Sequence, residues 1–219
     1  MKNNYVFKEK EDGTLVFVGD FESLYLNESD PWHQSASSDN EISKYYQYSR
    51  NRLNTQLKII NPNSIVEIGC GLGHTTDIIQ KSMTSSEVFG IDISNAAILK
   101  AQKLYPNLHF RCADITLSNF SFYKKSEVVI LSQLLWYILK SLPTVFDNCF
   151  SLLSENGSLI ITQAFLRSQK YGVEICNGFE GLINYINENA ANKFKIEFSN
   201  LDDSEQFIHN DGLIVLKRK

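Results

Sequence analysis

Residues 64–74, with the sequence SIVEIGCGLGH, constrain the fold of this chain more than any other segment. Residues 65–68 are apolar and rich in β-branched side chains, apart from one acid, and with Ser64 they predict a buried strand. Glycines follow at positions 69, 71 and 73, ahead of a predicted helix over residues 75–81. Glycine lets the backbone turn sharply and lets a ligand approach without meeting a Cβ. A strand that leads through such a turn into a helix N-terminus predicts a ligand site.

The spacing of the glycines discriminates between nucleotide cofactors. A dinucleotide-binding turn reads G-x-G-x-x-G, whereas this chain reads G-x-G-x-G, preceded by the buried acid Glu67. This pattern resembles the first motif of class I S-adenosylmethionine (SAM)-dependent methyltransferases, and later segments extend the resemblance to the C-terminus. The resemblance implies an α/β fold with a Rossmann-like, seven-stranded, mostly parallel sheet and helices on both faces. It implies SAM as cofactor over the carboxyl ends of the strands, with Glu67, Gly69, Gly71 and Gly73 among the cofactor-binding residues.

Acidic residues follow two further predicted strands. Asp92 ends the strand over residues 87–92 and lies 19 positions after Gly73, about the separation at which an acid reaches a ribose in Rossmann-type folds. Asp114 follows a third strand over residues 108–112. In the family that this chain resembles, an acid at that place accepts a hydrogen bond from the adenine amino group. By the same resemblance, Ile93 and Ile115 sandwich the adenine ring.

The fourth predicted strand, residues 126–131, is continuously apolar, as central parallel strands are. It leads into Ser132 and Gln133, which the resemblance places beside the cofactor. Many relatives carry an acid or a histidine near this strand end, so this chain departs from them in its catalytic chemistry. The resemblance assigns Trp136, a little further on, to the acceptor.

The N-terminal region carries a hairpin signal and a lid-like segment. Asp12-Gly13 separates two short alternating segments, which predicts a small β-hairpin. After Asp30-Pro31-Trp32, a polar run precedes an aromatic and basic helix over residues 41–53, predicted to bury Ile42, Tyr46, Leu53 and Leu57 on one side. This arrangement resembles the helical lid of a small-molecule subgroup that includes the nodulation-factor N-methyltransferase. We therefore predict two parts: residues 1–57 as hairpin and lid, and residues 58–219 as one compact SAM-binding unit.

The lid resemblance assigns three cofactor contacts. Trp32 and Tyr46 would line the cofactor, and the guanidinium fork of Arg50 suits the methionine carboxylate. An exposed helix surface for Arg50 and plain core packing for the two aromatic residues are the alternatives.

Methyl transfer from a sulfonium is an in-line displacement in which positioning and exclusion of water supply much of the acceleration. A general base helps when the acceptor is a hydroxyl, and an amine need only arrive deprotonated. His33 and Tyr137 are the nearest candidates for a base by resemblance, although a histidine in a loop is often only a surface residue. Gln169 and Tyr171, in a polar and aromatic insertion over residues 163–172, are the remaining candidates for substrate contact.

Composition excludes several other classes of function. The formal net charge is −4 and the only Lys/Arg cluster is the last three residues, which argues against a nucleic-acid partner. The four cysteines are scattered without a C-x-x-C pair, so neither a metal site nor a disulfide framework is expected. No apolar run approaches the eighteen residues of a membrane span, and the N-terminus has no apolar signal region, so a cytoplasmic protein is expected.

The sequence thus predicts a SAM-dependent methyltransferase acting on a hydroxyl or amine of a small polar metabolite. A sugar or sugar nucleotide in surface-glycan or secondary metabolism is the favoured type of acceptor. A SAM-binding regulatory or partner subunit without turnover is the alternative. A nicotinamide-dependent oxidoreductase is disfavoured, because the last glycine comes one position too early. Both a monomer and a homodimer remain open.

Overall fold

A computed structural model describes residues 4–35 and 40–219. Part of the polar run predicted as a loop between residues 34 and 40 therefore lies outside the described residues. Seven helices are described: α1 (Phe21–Asn27), α2 (Glu41–Ile60), α3 (His74–Ser82), α4 (Asn95–Leu104), α5 (Leu135–Ile138), α6 (Leu142–Leu152) and α7 (Gly178–Asn189). Two strands precede the main sheet, β1 (Phe7–Glu9) and β2 (Leu15–Phe17). The main sheet contains β3 (Ser64–Ile68), β4 (Glu87–Asp92), β5 (His109–Cys112), β6 (Ser126–Ser132), β7 (Leu153–Phe165), β8 (Phe194–Asp202) and β9 (Asn210–Arg218).

The main sheet has the order β5-β4-β3-β6-β7-β9-β8. Neighbouring strands are parallel from β5 to β7, and β9 is antiparallel to both β7 and β8. The predicted fold class is thereby confirmed, including the antiparallel closing pair at one edge. Because β9 alone is reversed, the carboxyl end of β8 lies at the same edge of the sheet as those of the parallel strands.

Both faces of the sheet are buried, which explains the continuous apolar sequences of its central strands. Alternate side chains point to opposite faces of a strand. Accordingly Ile65 of β3 packs with Leu53 and Leu57 of α2 on one face. Val66, the next residue, packs on the other face in the cluster that contains α6 and α7.

The predicted N-terminal hairpin is present, and it packs against the main body. β1 and β2 form an antiparallel pair. The rings of Phe7 and Phe17 contact those of Tyr137 and Tyr171, with centroid separations of 5.0–6.4 Å. The hairpin therefore covers the carboxyl edge of the sheet.

Helix α1 was not predicted from the sequence. Asp20 caps it by accepting a hydrogen bond from the Ser23 N–H at 3.0 Å. A seven-residue helix is marginal by itself, and tertiary contacts stabilise this one. Tyr25 packs with Ala96 and Ala97 of α4, and the Glu22 carboxylate accepts hydrogen bonds from the first turn of the same helix.

Helix α2 is continuous from Glu41 to Ile60 and crosses the division predicted between residues 57 and 58. Its buried side differs in part from the prediction, because Ile42 is exposed whereas Tyr45 is buried. Arg52 forms an ion pair with the buried Asp211 of β9, and Tyr45 donates a hydrogen bond to the same carboxylate at 2.8 Å. The two-part organisation of the chain stays a prediction.

None of the helices in residues 4–35 and 40–219 is long and apolar enough to cross a membrane. The same residues contain no group of three or more His, Cys, Asp or Glu side chains that could hold a metal ion.

Candidate active site

The glycine turn after β3 can adopt its conformation and pack closely only because three of its residues, at positions 69, 71 and 73, lack side chains. Gly69 and Gly71 have φ angles of 74° and 53°, in the left-handed region that favours glycine. A Cβ on Gly71 would lie 2.5 Å from the hydroxyl oxygen of Tyr25, and one on Gly69 would lie 2.7 Å from Leu134 Cδ1. Gly73, the third glycine, is the N-cap of α3 and packs against Phe110, away from the open side of the turn.

Asp92 connects this turn to the end of β4. Its carboxylate accepts hydrogen bonds from the N–H groups of Gly71 at 2.8 Å and Ser94 at 2.9 Å, one to each oxygen. Burial raises the pKa of Asp92 to about 6, and the two N–H donors oppose that shift. The carboxylate is therefore mostly ionised at neutral pH. Since an ionised carboxyl has about four lone-pair positions, two stay open for a ligand.

Asp114 lies just beyond β5 and has one free oxygen. Its Oδ1 accepts from the Thr116 N–H at 2.8 Å and from the Thr116 hydroxyl at 2.6 Å. Ile115 is buried, whereas Ile93 at the end of β4 is 49% exposed. Both isoleucines line the same opening as the two acids.

These residues surround one cavity of about 270 Å³, named here the first cavity, along the carboxyl ends of β3, β4 and β6. Twelve of the residues predicted from the sequence line it: Trp32, Tyr46, Gly69, Gly71, Asp92, Ile93, Asp114, Ile115, Ser132, Gln133, Tyr137 and Tyr171. The sequence missed other lining residues, among them Phe17 from the hairpin, Tyr25 from α1 and Gln34.

Glu67 lies behind the wall of the first cavity and does not line it. It is 2% exposed and accepts a hydrogen bond from the Thr76 hydroxyl at 2.5 Å. Burial raises the pKa of Glu67 to about 7, opposed by the Thr76 hydroxyl and by the nearby Arg50 guanidinium. The observed contacts give Glu67 a role in holding α3 to the glycine turn, so the sequence-based assignment to direct cofactor contact needs this correction.

Arg50 is buried, contrary to the alternative of an exposed helix surface. It is 6% exposed, and its Nε donates to the Thr75 hydroxyl at 3.0 Å. Its terminal nitrogens donate to the backbone oxygen and the side-chain oxygen of Gln34 at 3.2 and 3.3 Å. Because Gln34 lines the first cavity, it stands between Arg50 and the place predicted for the methionine carboxylate.

A second cavity of about 290 Å³ adjoins the first, and the two share Trp32, Tyr46, Gln133 and Tyr137. Each is slightly below the range of about 300–1,000 Å³ usual for ligand pockets, and the pair together falls within it. The second cavity is lined by Pro31, Trp32, His33, Glu41, Ile42, Tyr45, Tyr46, Gln133, Trp136, Tyr137, Gln163, Ala164, Leu166, Phe207, Ile208 and His209.

The remaining candidates for substrate contact occupy different places. Trp136 lines the second cavity and donates its indole N–H to the Ala164 oxygen at 2.9 Å. Gln169 lines neither cavity, because its amide bonds the backbone of Tyr171, Cys176 and Gly178 at 2.7–2.8 Å. The structure therefore contradicts a substrate contact for Gln169 and gives it the task of holding its own loop.

Of the two predicted bases, His33 lines the second cavity but is exposed. It lies in a turn held by Asp30, whose carboxylate accepts from the next two backbone N–H groups. Tyr137 lies at the junction of the cavities. Burial raises the pKa of Tyr137 well above its usual range, so at neutral pH it can donate a hydrogen bond but cannot serve as a base.

His209 was missed from the sequence. It lies between β8 and β9 and lines the second cavity. His209 could have been found from the direction of the preceding strand in the sheet. A loop that follows a strand parallel to the central strands lies at their carboxyl edge, where α/β sheets bind ligands.

Comparison with known proteins shows a similarity to methyltransferases. Residues 65–157 match a family model described as a methyltransferase domain. A putative methyltransferase, 235L, of Invertebrate iridescent virus 6 is 28% identical over 137 residues, which is 63% of this chain and 50% of the viral protein. A trans-aconitate 2-methyltransferase of Yersinia pseudotuberculosis is 28% identical over 127 residues, 56% of this chain and 48% of that protein. The chain thus spans about half the length of these curated relatives.

Among solved structures, the N-methyltransferase NodS of Bradyrhizobium japonicum in complex with S-adenosylhomocysteine (SAH) has a TM-score of 0.65 and 18% identity. The alignment covers 90% of this chain and 96% of NodS. At that identity the likeness concerns the fold. The match to the methyltransferase-domain model, the sheet order and the glycine turn with its strand-end acids agree with one another, and residues 65–157 are thus similar to a methyltransferase domain.

Proposed function

We propose that this chain transfers the methyl group of SAM to a hydroxyl or an amine of a small polar metabolite. One observation carries the proposal: the glycine turn, Asp92 and Asp114 line a single cavity, and a second, aromatic cavity shares four lining residues with it. A cofactor and an acceptor can thus lie side by side with their reacting atoms at the junction. Such proximity is the main requirement of a displacement reaction.

The residues around the first cavity fit SAM. Asp92 would hold the ribose hydroxyls with its two open lone-pair positions, and Asp114 would accept from the adenine amino group between Ile93 and Ile115. The methionine portion would lie along the glycine turn, whose Gly69 and Gly71 line the first cavity. Bound there, SAM supplies an electrophilic methyl carbon and a sulfide leaving group.

Arg50 is proposed for the methionine carboxylate, with one condition. The Gln34 side chain, which now accepts from the guanidinium, would have to turn aside. The methionine carboxylate would then form charge-assisted hydrogen bonds with the Arg50 guanidinium. These are stronger than the contact with the Gln34 amide that they replace. We likewise propose that residues 1–57 act as a cover over the unit formed by residues 58–219.

The acceptor is proposed to be a small molecule with a ring, such as a sugar or sugar nucleotide. The rings of Trp32, Tyr46 and Trp136 line the second cavity and offer flat surfaces for the apolar face of such a ring. The names of the relatives cover both a trans-aconitate methyltransferase and an N-methyltransferase, so they do not select the acceptor atom.

The test is a pair of measurements on the full chain. Calorimetric titration with SAH should show micromolar binding. Incubation with SAM carrying a labelled methyl group and a fractionated small-molecule cell extract should then move the label into a metabolite fraction. Absence of SAH binding would overturn the assignment. Binding without any transfer would instead favour a regulatory or partner subunit.

A further inference from the structure

We propose that the second cavity is the acceptor site, that it selects a neutral ring compound carrying a hydroxyl group, and that His209 accepts the hydrogen bond of that hydroxyl. The inference rests on the proposed methyl transfer and specifies its acceptor class and its base. His209 would then be a catalytic residue that neither the glycine motif nor the lid resemblance indicates.

The position of His209 is the first argument. The loop between β8 and β9 brings this residue to the carboxyl edge of the sheet, where it lines the second cavity. Gln133 and Tyr137 belong to the walls of both cavities. A molecule that touches His209 therefore lies next to the space assigned to the cofactor.

The state of the imidazole is the second argument. The Nδ1 atom of His209 is buried, so the imidazole faces the second cavity with its other ring atoms. Burial also lowers the pKa of His209, so its ring is neutral at physiological pH and can take up a proton.

Tyr45 contacts the His209 ring, and hydrogen bonds fix the position of this tyrosine. The Tyr45 ring packs edge-on against that of His209, with centroids 6.0 Å apart. The Tyr45 hydroxyl donates to the buried Asp211, which pairs with Arg52. It also accepts from Gln133 Nε2 at 3.1 Å. The same tyrosine thus positions the histidine and a residue of the cofactor cavity.

The charges around the second cavity define the class of acceptor. Its lining contains no lysine or arginine among the described residues. The groups that can carry charge there are the Glu41 carboxylate and the imidazoles of His33 and His209. An anionic acceptor would lose its hydration without gaining a permanent cation, which is costly. A neutral ring finds aromatic surfaces instead.

The reaction then balances without a further reactant. The acceptor oxygen forms a bond to the methyl carbon, and the carbon–sulfur bond breaks with its electron pair staying on sulfur. The hydroxyl proton passes to the neutral imidazole of His209 and from there to solvent. His33 is exposed and lies in the lid turn, so it has no such protected position.

The test uses two probes that differ in one group, phenyl β-D-glucopyranoside and its carboxylate analogue phenyl β-D-glucuronide. Each is titrated into the full chain saturated with SAH and labelled with ¹⁵N in its four histidines. The glucoside should move the unprotonated-nitrogen resonance of His209 upfield, as acceptance of a hydrogen bond requires. The glucuronide should bind at least tenfold more weakly. His109→Gln, at an exposed residue of β5 that lines neither cavity, should leave the glucoside affinity within twofold, whereas His209→Phe should weaken it several-fold at an unchanged melting temperature.

Each alternative result is decisive. Equal or tighter binding of the glucuronide would overturn the neutral-acceptor inference. If neither probe changes the ¹⁵N chemical shift of His209, the proposed role of His209 is overturned. This holds also if a probe binds elsewhere on the chain. Failure of the chain to bind SAH, measured first, would overturn the proposed function and with it this inference.

Discussion

Asp92→Ala offers the sharpest test of the cofactor site. The Asp92 carboxylate accepts hydrogen bonds from the backbone N–H groups of Gly71 and Ser94, so its two remaining lone-pair positions would accept from the ribose hydroxyls. Alanine removes both acceptors, and water entering the space left behind compensates in part. The expected loss of SAH binding free energy is about 1–3 kcal/mol, which corresponds to an affinity about 5- to 150-fold weaker.

The assay is calorimetric titration with SAH at pH 8, well above the pKa of about 6 that burial gives Asp92. Glu87→Ala is the matched control, because it removes the same charge from the opposite end of β4, on an exposed residue. That control should retain wild-type affinity. Since Asp92→Ala also unpairs two buried N–H groups, thermal unfolding must show that the variant is folded at the titration temperature. A folded variant with unchanged affinity would refute the ribose assignment.

Three further predictions concern stability and the glycine turn. Burial raises the pKa of Glu67 from 4.5 to about 7, so the free energy of unfolding declines by up to about 3 kcal/mol as the pH rises from 4.5 to above 7. The Glu67→Gln variant has no such titration. In urea unfolding, its free energy of unfolding relative to wild type should therefore increase by about the same amount between pH 4.5 and pH 8. Arg52→Ala should cost about 3–5 kcal/mol in the same assay, because it leaves the buried Asp211 carboxylate without its cation. Gly71→Ala should abolish SAH binding or displace Tyr25, since the new Cβ would lie 2.5 Å from the tyrosine hydroxyl.

A specific experimental outcome would contradict each of these three predictions. Parallel pH profiles for wild type and Glu67→Gln would mean that the buried acid keeps an ordinary pKa. For the ion pair, Lys124→Ala is the control, because it breaks an exposed contact with Glu87 that is worth less than about 1 kcal/mol. An equal cost for Arg52→Ala would mean that Asp211 finds another partner. Wild-type SAH affinity in Gly71→Ala would place the cofactor away from the turn.

Much of the lining of the first cavity could be predicted, because it depends on local signals in the sequence. Two-residue alternation and apolar runs depend on neighbours along the chain, and they located β3, β4 and β6 close to their observed bounds. A parallel sheet then brings successive strand ends to one edge. Asp92 and Asp114 could therefore be placed beside the glycine turn without coordinates. Boundaries were less accurate, as β7 extends over Leu153–Phe165 and not only over residues 157–162.

The sequence alone thus determined the class of fold, the cofactor family and the strand-end acids, since these follow from short-range patterns. Tertiary structure alone decided that Gln34 covers Arg50 and that the hairpin and α1 line the first cavity. It also decided that His209 lines the second cavity. These facts depend on side-chain directions and on contacts between residues far apart in the chain. Tyr45, for example, meets Asp211 across 166 positions. Such contacts arise from the packing of whole elements, and no local pattern records them.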